Sequence, residues 1–265
     1  MKGVVLGQYY PGDSLIHSLD PRVKIVSTFV FIISLFVVDN VPGYAVTALF
    51  LVSAVALSKV PVARLIKGLS GILVLMVFTA VFNLFLTPGE VVFSFYSLQI
   101  TREGIIVTVK MLVRLVFLIM GSSLMTYTTT PSALADALES LMKPLKVVKV
   151  PVHEISMMIS IALRFIPILA EEADIIIKAQ KARCADFDTG SVIKRAKAMI
   201  PVLVPLFVSA FRRANDLAVA MEARCYRGGD NRTRMRPLTY CARDYRAYAV
   251  DAALLLGCIL TRVIL

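Results

Sequence analysis

The chain has no tryptophan, two histidines and four cysteines among 265 residues. Without tryptophan, any aromatic belt at a membrane–water interface has to use the nine tyrosines and some of the phenylalanines. His17 and His153 are far apart, and Cys184, Cys225, Cys241 and Cys258 include no CxxC pair, so no metal site is expected and nothing demands a disulfide. GxSxG, HExxH and any paired-carboxylate spacing that stands out are missing, which leaves no visible nucleophile–base arrangement. GxxxxGK[ST] is missing too, so nucleotide binding through a P-loop is not expected, and any ATP-driven work would fall to another subunit. Acidic residues are scarce, 18 against 29 Lys and Arg, for a formal charge of +11 and a pI of about 9.7. Residues 1–20 are mixed and polar and show no cleavable signal pattern.

What is abundant is apolar. The chain is 58% hydrophobic, with a mean hydropathy of +0.77, a composition of integral membrane proteins. In that setting the positive charge reads as positive-inside bias and attraction to anionic lipid, not as a nucleic-acid surface. Apolar runs mark five spans: 25–38, 43–58, 66–86, 104–127 with Lys110 and Arg114 on one face, and 246–265 with Asp251 and Arg262. The 39–43 connection has Asp39 and no basic residue, whereas 59–67 carries Lys59, Arg64 and Lys67, and 128–246 holds 19 of the Lys and Arg against 12 acids. The N-terminus and 128–246 are therefore expected in the cytoplasm, with the C-terminus outside. Pro88-Gly89 followed by Val91–Tyr96 reads as a short extracellular hairpin.

The 128–246 stretch begins with Thr130-Pro131, an N-cap and a first-turn proline, ahead of a short helix that Pro144 ends. A second helix is expected from Pro151 to about Asp186, kinked at Pro167, and a third from about Ser191 to Arg224, with Pro201 and Pro205 in its first half and Gly228-Gly229 as its stop. Each has an apolar, proline-bent part and then a charged part. They read as long helices along the cytoplasmic membrane face. The competing reading makes 155–170 and 200–211 a sixth and seventh span, although both are short and are interrupted by Arg164, Pro201 and Pro205.

Each long helix also ends in the same pattern: Ala179-Gln180-Lys181-Ala182-Arg183-Cys184 and Ala220-Met221-Glu222-Ala223-Arg224-Cys225. An arginine in a last helical turn can simply offset the helix dipole and bond free carbonyls. Repetition at matched positions, between small neighbours, points instead to charge-assisted hydrogen bonding with carboxylates in a partner's groove. Lys110 and Arg114 are open to a functional role or to polar partners inside the bundle. The arginines from Arg224 to Arg246, including Arg232, Arg234 and Arg236, read mostly as a topology determinant next to anionic lipid.

At these residues the chain resembles the transmembrane (T) component of energy-coupling factor (ECF) transporters, a class of ABC importers for vitamins and metal ions. The matching stretches are Gly7–Ser14, His17–Arg22, Thr128–Pro131, Ala162–Pro167, Ala179–Phe187 and, most specifically, Ala220–Gly229. The resemblance implies an all-α membrane protein with about five transmembrane helices and a cytoplasmic module of long bent coupling helices. Residues 1–127 would form a four-span membrane domain, 128–244 the coupling module and 245–265 the last span. It implies a non-catalytic subunit without cofactor or metal. Its partners would be two homologous ATP-binding subunits, a membrane-embedded substrate-binding S component and the bilayer of the cell membrane. The ATPase-docking residues carried over are Ala182, Arg183 and Cys184 with Ala223, Arg224 and Cys225. Both copies have cysteine where the family pattern has glycine or serine. The S component would rest on 151–170 and 196–211. The N-terminal Gly-Gln-Tyr-x-Pro-Gly stretch looks more like the shared, vitamin-type form than a dedicated cobalt or nickel system. A membrane-integral enzyme or scaffold without an ATPase partner is the alternative from another class.

Overall fold

The computed structural model describes residues 9–95, 98–185, 187, 191–228 and 237–264. Gly7, Gln8, Tyr96, Asp186, Gly229, Arg232, Arg234 and Arg236, all of which the sequence reading used, lie outside the described residues. In chain order the elements are α1 (Pro21–Val37), α2 (Val41–Ser58), α3 (Val62–Leu69), α4 (Leu73–Leu86), β1 (Val91–Phe95), β2 (Leu98–Thr101), α5 (Arg102–Thr128), α6 (Pro131–Met142), a 3-10 turn (Lys143–Val148), α7 (Val152–Ala182), α8 (Val192–Ala198), α9 (Ile200–Ala223) and α10 (Ala242–Ile264). Two compact units result. Among the described residues one draws on 9–137 and 237–264, the other on 138–228.

In the first unit α1 lies among α2, α5 and α10. Phe31, Leu35, Val38, Leu51, Leu254 and Cys258 form one buried cluster, and Val60, Leu65, Leu124 and Tyr127 a second. Gly121 lets α5 approach α1, because a Cβ there would meet the Phe31 ring at 2.5 Å. Many large apolar side chains point outward, Phe29, Phe36, Leu49, Val52 and Val74 among them. In water such a surface would drive aggregation; against lipid tails it is the ordinary outer face of a bundle.

Helix α1 starts where Asp20 caps it, accepting the Arg22 N–H at 2.8 Å, with Pro21 in the first turn. The Asp244 carboxylate accepts the Cys241 N–H at 2.8 Å with one oxygen and the Asp20 N–H at 2.9 Å with the other. One side chain thus ties the first turns of α1 and α10 together. Ser27 then donates to Asp251, the Asn40 amide to the Thr261 carbonyl and Arg262 to the Val37 carbonyl. Partners rise together along both helices, so α1 and α10 run parallel.

Four helices, α2, α5, α7 and α10, are long and apolar enough to cross a membrane, and the bent pair α3–α4 makes a fifth candidate. The sequence reading reached five by counting α1 and leaving α7 out. Helix α1 has 17 residues, about 26 Å of rise, a little short of a bilayer core of about 30 Å. The third span is not one rod: α3 and α4 meet at 60° across Ser70-Gly71-Ile72, a Ser/Gly pair of the kind that kinks helices. The hairpin expected after Pro88-Gly89 forms from β1 and β2, with a bulge between Val91 and Phe93. Thr101 then caps α5, its hydroxyl accepting the Gly104 N–H and donating to the Thr87 carbonyl.

In the second unit the third long helix is divided. Helix α8 stops at Met199 and α9 begins at Ile200, because Pro201 has no N–H for the carbonyl four residues back and its ring clashes there. Pro167 and Pro205 stay inside α7 and α9.

Candidate docking sites at two helix ends

Ala182 is the last residue of α7 and Ala223 the last of α9. Arg183 and Arg224 occupy the C-cap positions with almost the same backbone, φ −90° and ψ 17° against φ −93° and ψ 14°. Cys184 and Cys225 follow at φ 66° and 56°, the left-handed region. The Cys184 N–H reaches the Lys181 carbonyl and the Ala185 N–H the Gln180 carbonyl, both at 3.0 Å. At the second site Cys225 bonds Glu222 at 2.8 Å and Tyr226 bonds Met221 at 3.0 Å. These are two Schellman motifs of one geometry. The helices therefore stop at the cysteines, and Gly228, with φ 91°, lies past the stop rather than making it. The backbone itself calls for a glycine-like residue after each arginine.

All six of these residues are exposed. Among the described residues neither Arg183 nor Arg224 has a hydrogen-bond or ion-pair partner on its side chain. Their guanidinium groups make no hydrogen bond to the last carbonyls of their own helices, and an offset of the helix dipole needs none.

The two helices cross with opposite directions. Arg213 of α9 bonds the Glu172 carboxylate of α7 at 3.1 Å. Further along α7 the Gln180 amide reaches back to the Pro201 carbonyl at 3.4 Å. Pro205 has no N–H to offer that carbonyl, so the amide from α7 takes the place of the missing helical bond. Arg183 stands eleven residues beyond Glu172, and Arg224 eleven beyond Arg213, about 16 Å of helix in each case. The 41-residue spacing of the arginines is also the spacing of the ion pair. Glu172 and Arg213 were not singled out from the sequence, although extending the repeat backwards by eleven positions would have found them.

Other candidate residues resolve into structure. Arg114 donates to the Val38 carbonyl at 3.0 Å and to Asp39 at 3.2 Å, closing the end of α1. His17 bonds Ser14 and the Tyr10 carbonyl, and His153 bonds Glu139. The N-terminal motif residues form a knot: Lys24 bonds the His17 and Thr128 carbonyls, the Tyr10 N–H bonds Tyr127, and Arg22 stacks over Tyr240 at 3.9 Å. Burial alone would raise the Asp20 carboxyl; the hydrogen bonds from Arg22 and the charges of Arg22 and Lys24 outweigh it and hold that group below the usual carboxylate range. Cys184, Cys225 and Cys241 are exposed free thiols and Cys258 is buried. No group of three or more metal-ligating side chains occurs among the described residues.

A bundle with four or five membrane-length helices, in a chain whose second unit ends two long helices in matched arginine caps, is the architecture of a multi-pass membrane protein. Residues 12–235 match a family model described as "Cobalt transport protein", CbiQ. The chain is 54% identical over 244 residues to the energy-coupling factor transporter transmembrane protein EcfT of Ruminiclostridium cellulolyticum, covering 92% of this chain and 91% of that one. It is 49% identical to the EcfT protein of Thermosediminibacter oceani over the full length of both, and 45% identical to that of Bacillus subtilis over 92% of each. The chain belongs to this family, that of the transmembrane components of ECF transporters.

Proposed function

We propose that the chain couples two ATP-hydrolysing subunits to a membrane-embedded substrate-binding component, for uptake of vitamins or other micronutrients. Arg183 and Arg224 are the docking groups, one for each ATPase. The observation that carries this is the matched pair of caps: closely similar backbone geometry, equal residue spacing from the Glu172–Arg213 crossing and opposite helix directions. Such an arrangement suits two similar partners better than one. Closing of the ATPase pair would move the two helix ends, and α7 and α9, joined through Glu172–Arg213 and Gln180–Pro201, would carry that movement toward their apolar halves.

The orientation that fits is a cytoplasmic N-terminus and coupling module. Parallel α1 and α10 require an even number of crossings from the start of one to the start of the other. Helices α1, α2, α3–α4 and α5 supply four when α1 is counted as a crossing, which leaves α7 out of the membrane unless α9 crosses with it. Either neither of the long module helices crosses or two do, and the charged halves of α7 and α9 favour neither.

The test is Arg183→Glu, Arg224→Glu and the double variant, scored by co-purification of the ATPases and by uptake at matched expression. Losing a charge-assisted pair and leaving its partner unpaired costs a few kcal/mol, about 3. Each single change should weaken both readouts, and the double should be worse. Normal assembly and transport by the double variant would reject the assignment. A dedicated cobalt or nickel importer is the second reading, favoured by the description of the family model; the relatives' names specify no metal. Neighbouring genes for a metal system, or for ATPases alone, separate the two. Absence of any co-purifying ATPase would leave a scaffold or enzyme.

A further inference from the structure

Between α6 and α7, residues 143–149 are all exposed. Val147 and Val148 are 88% and 74% exposed, and Leu145 is 42% exposed. Lys143, Lys146 and Lys149 alternate with them, and there is no acid within the turn. The nearest acidic residues are Glu139 and Glu154; the Glu139 carboxylate is already engaged by His153 at 3.1 Å and Ser156 at 2.8 Å. The turn has a defined shape. Lys149 sits at φ 60°, its N–H bonds the Lys146 carbonyl at 3.0 Å, the Val150 N–H bonds Leu145 at 3.4 Å, Pro144 lies at the turn's start and Pro151 follows it. Two adjacent valines held outward on a hydrogen-bonded turn have no reason to face water.

We propose that this turn is a membrane-surface anchor, with Val147, Val148 and Leu145 entering the headgroup–acyl boundary and the three lysines binding the phosphates of anionic lipid. Charge decides the occupant: three lysines without a local counter-charge suit an anionic surface, and their aliphatic stems let the ammonium groups stay among the headgroups while the valines go deeper. Chain length allows it: only 14 residues separate Thr128, the last residue of α5, from Lys143, the first of the turn. The anchor would give the module a foothold on the leaflet at this turn. It rests on the membrane character of the chain and not on ATPase docking.

The absence of tryptophan makes the test direct. Val147→Trp and, separately, Val148→Trp place a single indole in the full-length chain, reconstituted in nanodiscs of phosphatidylglycerol and phosphatidylcholine. In the mixed bilayer the emission should be blue-shifted, largely quenched by brominated acyl chains and protected from aqueous acrylamide. Adding Lys143→Gln, Lys146→Gln and Lys149→Gln should reverse all three signals, and so should a bilayer of phosphatidylcholine alone. Acrylamide-accessible emission without lipid quenching at both positions would overturn the proposal. So would insertion that ignores lipid charge, or a blue shift that arises only when partner subunits are added, which would make the turn a protein contact.

Discussion

The two cysteines at positive φ give the sharpest test of how the helix ends are built. An L-residue in the left-handed region costs about 1–2 kcal/mol, a penalty glycine avoids. Glycine also loosens the unfolded chain, which returns about 0.4–1 kcal/mol of that gain. Cys184→Gly or Cys225→Gly should therefore stabilise its own cap by about 1 kcal/mol net, roughly a fivefold change in the local opening equilibrium. The place to read it is hydrogen exchange at the closing amides, Cys184 and Ala185 in one site and Cys225 and Tyr226 in the other, in nanodisc-embedded protein. Exchange of the Ala185 and Tyr226 amides, whose own residues are unchanged, should slow about fivefold in the corresponding glycine variant. Valine at the same positions is β-branched and poorly tolerated at positive φ, so exchange should accelerate. Serine keeps the volume and should leave both exchange and uptake near wild type, whereas tryptophan should block docking by bulk with the arginine still present. If glycine and valine exchange alike, the left-handed backbone is not what limits these caps. If serine fails where tryptophan works, thiol chemistry replaces the steric account.

Swapping the crossing pair, Glu172→Arg with Arg213→Glu, should recover the assembly that either single change weakens, as measured by co-purification of the ATPases; singles without effect would remove the pair from the coupling path. Gly121→Ala puts a methyl group into the Phe31 ring and should cost about 1–3 kcal/mol, seen as a lower melting temperature in detergent. Because the Asp20 carboxyl is held low in the folded chain, its contribution to stability is complete above its ordinary value near 4 and is lost as the pH falls through the depressed one; Asp20→Asn should flatten that acid limb of a melting-temperature profile. The exposed thiols of Cys184, Cys225 and Cys241 should react with an impermeant maleimide only after cell lysis, and labelling of intact cells would reverse the orientation.

Hydropathy, charge asymmetry and proline punctuation are one-dimensional signals, and they were enough to read an all-α membrane protein, the hairpin after Pro88-Gly89, the short helix after Thr130 and the repeated Ala-Arg-Cys ends. Composition alone also told that the chain lies in a membrane, because water and hydrocarbon sort side chains by polarity wherever they lie in the chain. Pairing was not legible in that way. That Asp244 holds the start of α1, that Arg114 closes its end, and that Gln180 fills the carbonyl Pro205 leaves open depend on residues brought together by packing. The break at Met199 and the 60° bend at Ser70–Ile72 were readable in principle from Pro201 and Ser70-Gly71, but an apolar run masks a kink, since hydropathy is blind to backbone hydrogen bonds. The role of the cysteines was hidden for a similar reason. Sequence shows a small residue after each arginine; only the backbone shows that the position is left-handed, because φ is set by how a helix ends in three dimensions and not by the volume of the side chain that sits there.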